Sequence, residues 1–442
     1  MNTLIELAAV TLICYYIVVL SRRVDIGLIS LLAVEIYDFT FGVNGALFGG
    51  IHIDPLDAVS ICLLAAGVIR SFHGLKKITV THLVAIGYLA LFAISLGRGF
   101  YSNGTLAVAN EGRGFVGPLS ATLYFLTAPT DDSSIRRYVK AYLYFGAALC
   151  LAAVLAAVGF PIGMNAWAQA DLTAIDGRYL PATAAAAIAV CGFFSLALLR
   201  YARGGILRLL VPVMFMSAAI YLRHRTVWMM LLAGALALMV LDGKLFRRLL
   251  PAALVAGAAV AVLAVYGGNV EGLVSENQFT RSATNSQTLE WRLNGWKELV
   301  LDDEQNAMTI AIGKSMGGGY WRIDPVSYQA VEVAPHSEYI QEYLRVGVIG
   351  TFLVFLLCLR PFVKLWKLNK VDPAAIFPTT SIWAVVLLCT LVYGLTYGIQ
   401  PHSYALIGIA NAIFLGSPVP APEGVLESNP ALEFAVPSGF VK

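Results

Sequence analysis

The sequence predicts an all-α, polytopic integral membrane protein. Its composition, the recurrence of long apolar runs and the placement of lysine and arginine between those runs carry the prediction. Of 442 residues, 58% are hydrophobic and 13% charged, whereas soluble domains carry about 25% charged and 45–50% apolar residues. Apolar runs recur at 4–20, 26–47, 57–69, 78–96, 115–128, 138–160, 182–199, 206–222, 226–241, 249–266, 338–359, 376–398 and 403–416. At roughly 20 residues per crossing they give about 12–13 transmembrane helices. The runs at 57–69, 115–128 and 403–416 are short and read as tilted, partial or re-entrant segments. The first run, Leu4 to Leu20, lacks the basic start and small-residue cleavage site of a secretory signal and reads as an uncleaved span. This pattern excludes a disordered protein, a secreted disulfide scaffold and a soluble multidomain enzyme. The net charge of +3 gives no footing for nucleic acid. The six cysteines, Cys14, Cys62, Cys150, Cys191, Cys358 and Cys389, fall in separate apolar runs without a Cys-x-x-Cys pair and read as packing residues.

Basic residues concentrate in alternate loops: Arg22 and Arg23; Arg70, Lys76 and Lys77; Arg136, Arg137 and Lys140; Arg200, Arg203 and Arg208; Lys244, Arg247 and Arg248; Arg360, Lys364, Lys367 and Lys370. The positive-inside rule puts these loops in the cytoplasm. The N-terminus and the long connection from about Gly267 to Pro335 then lie outside. The chain divides into an N-terminal helix bundle (1–266), an outer loop with short helices (267–335), C-terminal spans (336–416) and a proline-rich cytoplasmic tail (417–442). A loop of that length without a span is usually functional or disordered. Within it, Thr288–Val300 predicts a helix with Leu289, Leu293, Trp296 and Val300 on one face, so the loop reads as a folded cap. No internal repeat is visible, and the inverted halves of many transporters are not evident.

The remaining basic residues, among them Arg98, Arg113, Arg223, Arg225, Arg281, Arg292, Lys314, Arg322 and Arg345, fall on the outer side, where the positive-inside rule disfavours them. A hinge, Leu222-Arg-His-Arg-Thr226, puts Arg223, His224 and Arg225 at the outer membrane boundary. Arginine binds phosphate bidentately and keeps its charge, so such a cluster predicts an anionic ligand; headgroup anchoring by snorkelling is the plainer reading of any one of them. Where the long loop re-enters the membrane, Pro335 and His336 precede Glu338, Glu342 and Arg345 at i, i+4 and i+7 on one helix face. Ionisable groups in the first turns of a span are a functional-site hypothesis. Gly313-Lys-Ser315 lacks the upstream glycine of a phosphate loop, Met308 standing there, and reads as a flexible turn of the cap. His402 lies in another outer loop and is a candidate for the same cavity as His336. His52, Asp54 and Asp57 match no firm metal pattern, and no metal or other cofactor is expected.

These residues resemble the O-antigen ligase and O-antigen polymerase superfamily of bacterial envelope glycosyltransferases. The hinge at His224-Arg225-Thr226 stands where that family has a Ser-Arg-Gly type hinge. Arg292 followed by Trp296 and the Gly313–Gly319 turn fit its long outer loop. His336-Ser337-Glu338-Tyr339-Ile340 with Gly347 and Gly350 fit the motif that closes the loop. The resemblance implies a GT-C-like membrane enzyme that transfers a glycan from undecaprenyl diphosphate. The acceptor would be lipid A–core in a ligase or a lipid-linked oligosaccharide in a polymerase. His336 would be the catalytic base. Arg225, Arg292, Arg223 and Arg281 would bind the diphosphate, with Glu338, Tyr339 and His402 in support. Membrane lipids are the remaining partners. The competing class is a secondary transporter or flippase for an anionic or lipid-linked substrate.

Overall fold

The computed structural model describes residues 2–42, 46–48, 50–74, 79–163, 179–196, 207–247, 287–301, 306–323, 329–374 and 376–416. Their helices in chain order are α1 (Asn2–Arg22), α2 (Val24–Phe41), α3 (Pro55–Gly74), α4 (Val80–Ser102), α5 (Thr105–Leu126), α6 (Asp132–Ala157), α7 (Ala182–Ser195), α8 (Leu207–Tyr221), α9 (Arg225–Leu241), α10 (Gln287–Val300), α11 (Ala307–Ile312), α12 (Glu338–Val371), α13 (Thr380–Gly394) and α14 (Pro401–Gly416). Two short antiparallel pairs join them, β1 (Ala46–Phe48) with β2 (Ile51–Ile53), and β3 (Trp321–Ile323) with β4 (Ala330–Glu332). The apolar run at 249–266, the tail and Arg281 lie outside the described residues.

The chain is an α-helical membrane protein. Pro55–Phe72, Val80–Ser102, Asp132–Ala157 and Glu338–Val371 are each long and apolar enough to cross a bilayer, and shorter apolar helices accompany them, including Ala182–Ser195, Arg225–Leu241, Thr380–Gly394 and Pro401–Leu415. Several elements depart from the apolar runs. The run at 26–47 stops at Phe41, beyond which Gly42 breaks the helix and β1 begins at Ala46. The short runs at 57–69 and 115–128 are parts of longer helices, α3 with 20 residues and α5 with 22. α5 begins ten residues earlier than its apolar run because Glu111 and Arg113 in its first turns have partners on other segments.

Local chemistry sets the helix ends. Thr79 and His82 form a reciprocal capping box before α4, and the Asp131 carboxylate accepts from Ser134 N at 3.0 Å before α6. Thr379 accepts from Ile382 N at 3.2 Å before α13, and Pro401 opens α14, where a missing N–H costs nothing.

α7, α13 and α14 are buried on almost every side, as helices apolar all round should be when they form a core. α14 packs on α2, α5, α12 and α13, and α13 packs on α7, α9 and α12. The outer helices turn Leu12, Ile13, Tyr144, Leu151, Leu232, Val240, Val348 and Phe352 outward. An apolar surface of that kind belongs in lipid.

Basic residues gather at one end of the bundle. Arg70 donates to Thr127 Oγ1 at 3.1 Å and to the Thr127 carbonyl. Arg137 approaches Asp25 at 4.0 Å, Arg136 lies over Phe377, and Asn369 Nδ2 donates to Leu241 O at 2.7 Å. At the opposite end, α10, α11 and the strands β3 and β4 pack against the starts of α12 and the ends of α4. α12 is two helices joined at Gly347, whose φ of 67° is left-handed. A side chain there would collide with the Ala311 carbonyl and lie 2.5 Å from Gly313 N, so the break is where α11 docks on α12.

A non-glycine residue held at such an angle costs on the order of 1–3 kcal/mol. Gly347→Ala is therefore expected to lower the thermal unfolding midpoint in detergent. Gly97→Ala, in a helix with nothing within 4 Å of the added methyl, should leave it unchanged or raise it. Equal midpoints for the two variants would remove the constraint assigned to Gly347.

Candidate functional site

His336 lies between β4 and α12 at the end of the bundle away from the basic cluster. Its backbone is left-handed, with φ 51°, a conformation uncommon outside glycine. Contacts on both sides hold it there. The Trp296 indole donates to the Pro335 carbonyl, and Glu338 N donates to Tyr397 O at 3.3 Å. His336 is exposed, and its imidazole faces two rings, Trp291 and Tyr397, with centroids 6.5 and 6.4 Å away.

Two guanidinium groups stand on those same rings. Arg292 lies over Tyr397, 4.7 Å from its centroid, and donates to Thr396 O at 3.0 Å. Arg322, buried on β3, stacks on Trp291 at 3.6 Å. α10 supplies both Trp291 and Arg292, and Gly295 on that helix leaves the space through which Arg322 passes. The buried face of α10 therefore runs through Gly295 and Leu299, while Leu293, placed on the buried face by its spacing, is 48% exposed. The surrounding protein, then Arg292 and Arg322, lower the His336 pKa from 6.5 to about 4. At neutral pH the ring is uncharged and able to accept a proton.

The hinge meets the same place. Thr226 Oγ1 and Thr396 Oγ1 share a 2.6 Å hydrogen bond, so the residue that accepts from Arg292 also holds the start of α9. Arg225 is the first residue of α9 and partly buried. Arg223 is buried with a left-handed backbone, φ 60°, and His224 Nε2 contacts Leu180 O at 2.9 Å.

The supporting residues have other partners. Glu338 accepts from Ile399 N at 2.7 Å and from the Tyr404 hydroxyl, so both its oxygens are engaged away from His336. Spacing placed it beside the imidazole, but the first turn of α12 points it inward. Tyr339 donates to Leu391 O at 2.8 Å and ties α12 to α13. His402 is buried, its Nδ1 2.5 Å from Glu35 Oε2, between Phe39 and Phe145. Its contacts lie within the core, because α14 carries it inward from the loop.

The Gly313–Gly319 turn is docked where the sequence suggested a flexible loop. Arg98 donates to Gly313 O and Asn103 to Met316 O, each at 2.8 Å, and Met316 is fully buried. Glu111 accepts from Gly317 N at 2.7 Å and Gly319 N at 3.3 Å. The turn thus makes the kind of backbone anion cradle that glycine permits, and a carboxylate of the same chain fills it. Arg345 pairs with Glu111 and donates to Gly319 O at 2.6 Å and Ser315 O at 3.2 Å.

One neutral imidazole beside two fixed cations and two aromatic faces can accept a proton while an anion is held next to it. Trp291, Thr396 and Tyr397 belong to this constellation and were not singled out from sequence. Trp291 had a signal in adjoining Arg292; Thr396 and Tyr397 had none, since nothing in the apolar run at 376–398 marks its last residues. No family model and no curated protein matches this chain.

In NMR of histidine-labelled protein, His336 is expected to titrate well below the ordinary 6.5, towards 4. Arg322→Gln should move the midpoint upward, since one repelling charge is removed. A wild-type midpoint at 6.5 that Arg322→Gln leaves in place would separate the guanidinium groups from the imidazole.

Proposed function

We propose that the chain is a membrane glycosyltransferase that moves a glycan from undecaprenyl diphosphate to an acceptor hydroxyl, in the manner of O-antigen ligases and polymerases. Its site would face the periplasm of a bacterial inner membrane. The observation that carries the proposal is the meeting of His336, Arg292 and Arg322 against Trp291 and Tyr397 at the end of an apolar helix bundle. The resemblance of the His224–Thr226, Arg292–Trp296 and His336–Ile340 segments to that superfamily supports the same reading. The gathering of basic residues at the opposite end of the bundle supports this orientation through the positive-inside rule.

In this reading the acceptor oxygen attacks the anomeric carbon of the donor sugar while the bond from that carbon to the diphosphate oxygen breaks. The electron pair leaves on the diphosphate, and the hydroxyl proton passes to the neutral imidazole of His336. Arg292 and Arg322 hold the leaving anion, with Arg225, Arg223 and Arg281 as further ligands for the diphosphate. Because guanidinium groups are permanent cations, the step needs no divalent ion. Desolvation first, then Arg292 and Arg322, make His336 a weak base, and an anion that neutralises the arginines would remove their share of the effect. Donor binding would therefore raise the basicity of His336 at the moment a base is required. Inorganic pyrophosphate should raise the His336 midpoint in the wild-type protein and do so less in Arg292→Lys; a midpoint indifferent to pyrophosphate would detach the anion site from the base.

The direct test is glycan transfer by purified protein with donor binding measured in parallel. A positioned base contributes about 10²–10⁴-fold, so His336→Ala and His336→Gln should lose transfer by that order and keep donor binding. Arg292→Lys keeps the charge but loses the bidentate fork and should weaken both. Transfer should survive EDTA. Wild-type transfer by His336→Ala would overturn the assignment of the base.

The buried Glu35–His402 pair and the Glu342 carboxylate, which accepts from the Tyr88 hydroxyl at 2.8 Å, favour a second reading, an ion-coupled transporter or flippase. Uptake of a lipid-linked or anionic substrate into sealed proteoliposomes, without transfer in detergent, would select it.

A further inference from the structure

Beside the start of α12, and lined by none of Arg292, Arg322, Trp291 or Tyr397, is a polar cavity of about 270 Å³ between α3, α5, α12 and the segment that leads into α14. We infer that this cavity is a subsite for one uncharged sugar ring, the terminal ring of the acceptor. The inference rests on the glycosyltransferase reading and adds to it where the acceptor sits.

The lining decides which ligand fits. Asp54 and Asp57 both face Arg113, at 3.1 and 3.5 Å. That guanidinium balances one of the two negative charges and is the cation that both carboxylates already face, and among the described residues no group of three or more His, Cys, Asp or Glu is placed to hold a metal ion. The Glu338 oxygens in the wall are engaged by Ile399 N and the Tyr404 hydroxyl. Asp54 Oδ1, however, is buried with no hydrogen-bond partner among the described residues. An ionised carboxylate oxygen can only accept, so what completes it must be a donor, which argues against an anion. Gln341 and Gln400 add amides that both donate and accept, and Phe115 adds an aromatic wall. Acceptors, amides and an apolar face together suit the hydroxyls and the C–H face of a pyranose. The size is just under the about 300–1,000 Å³ of drug-sized sites, right for a single ring.

Its place in the chain suits an acceptor. Gln341 and Glu338 lie on the first turns of α12, the helix that follows His336 directly. A ring seated there would be recognised by residues different from those assigned to the diphosphate, so the two substrates would be selected independently.

Saturation-transfer difference NMR tests this with purified full-length protein in a detergent without a sugar headgroup. The probes are glucose, galactose, mannose, rhamnose and N-acetylglucosamine, each added alone. At least one should receive saturation, and Gln341→Leu or Gln400→Leu should weaken that sugar about tenfold, the scale of one hydrogen bond, with an unchanged thermal midpoint. His336→Ala and Arg292→Lys should retain the signal. Absence of saturation for every sugar would overturn the subsite, as would a signal that both glutamine variants leave intact. Displacement by inorganic phosphate would also overturn it and make the cavity an anion site. Transfer activity with no sugar bound here would leave the proposed function standing and remove only the subsite; sugar binding without transfer would do the reverse.

Discussion

The Arg345 guanidinium, buried and closed on every side, is the contact on which the end of the bundle around His336 depends. It pairs with Glu111 from α5, donates to the carbonyls of Ser315 and Gly319, and lies 4.5 Å from the centre of the Tyr320 ring. One side chain thereby joins α5, α12 and the turn between α11 and β3. Removing one partner from such a buried pair typically costs about 3–5 kcal/mol, because the other charge is left stranded. Lys314 N donates to Leu344 O at 2.7 Å and Met316 N to Ser95 O at 3.2 Å, so backbone bonds reinforce the same docking. β3 follows directly from that turn, and Arg322 on β3 reaches Trp291 of α10. The position of the arginines beside His336 is thus inherited from an ion pair that touches neither.

A second constraint acts through carbonyls. Thr396 O accepts from Arg292, Pro335 O accepts from Trp296, and Tyr397 O accepts from Glu338 N. Each is a backbone group left over where a helix or strand has ended. The site is assembled at such ends because only there does a membrane helix bundle have polar backbone to offer. Aromatic rings accompany the charges: Tyr393 stacks on Tyr397 at 5.4 Å, and Trp291 meets both Arg322 and His336.

Most of the helices were legible in the sequence, because lipid and core both demand long apolar runs. Their edges were legible only where polarity and helix end coincide. At α5 they do not. Glu111 and Arg113 look like loop residues, yet their charges are met by Arg345, Gly317 and Asp54, contacts from residues far away in the chain. His336 and Arg292 were found because unusual polar residues flank spans. Arg322 was visible only as one of many outer arginines, since its neighbour Trp291 is 31 residues away in the sequence and close only through Gly295. Glu338 and His402 were misplaced for the reverse reason. Sequence shows that a residue is near a helix start, but the helix rotation that turns Glu338 towards Tyr404 and His402 towards Glu35 depends on packing.

The central position of α14 bears on how the chain is built. Ribosomes release the N-terminal helices first, and domains tend to fold in that order. Yet α5 finds a large part of its packing surface on α14, close to the end of the described chain, and α2 meets α14 as well. Gly408 fits against the Thr122 carbonyl, where a methyl would sit 2.8 Å away, and His402 caps the carboxylate of Glu35 from α2. Until α14 enters the membrane, Glu35 has no imidazole to meet and α5 has an uncovered face. The early helices can pack on one another, α3 on α5 and α2 on α6, but the centre that α14 fills closes only when that helix is in place.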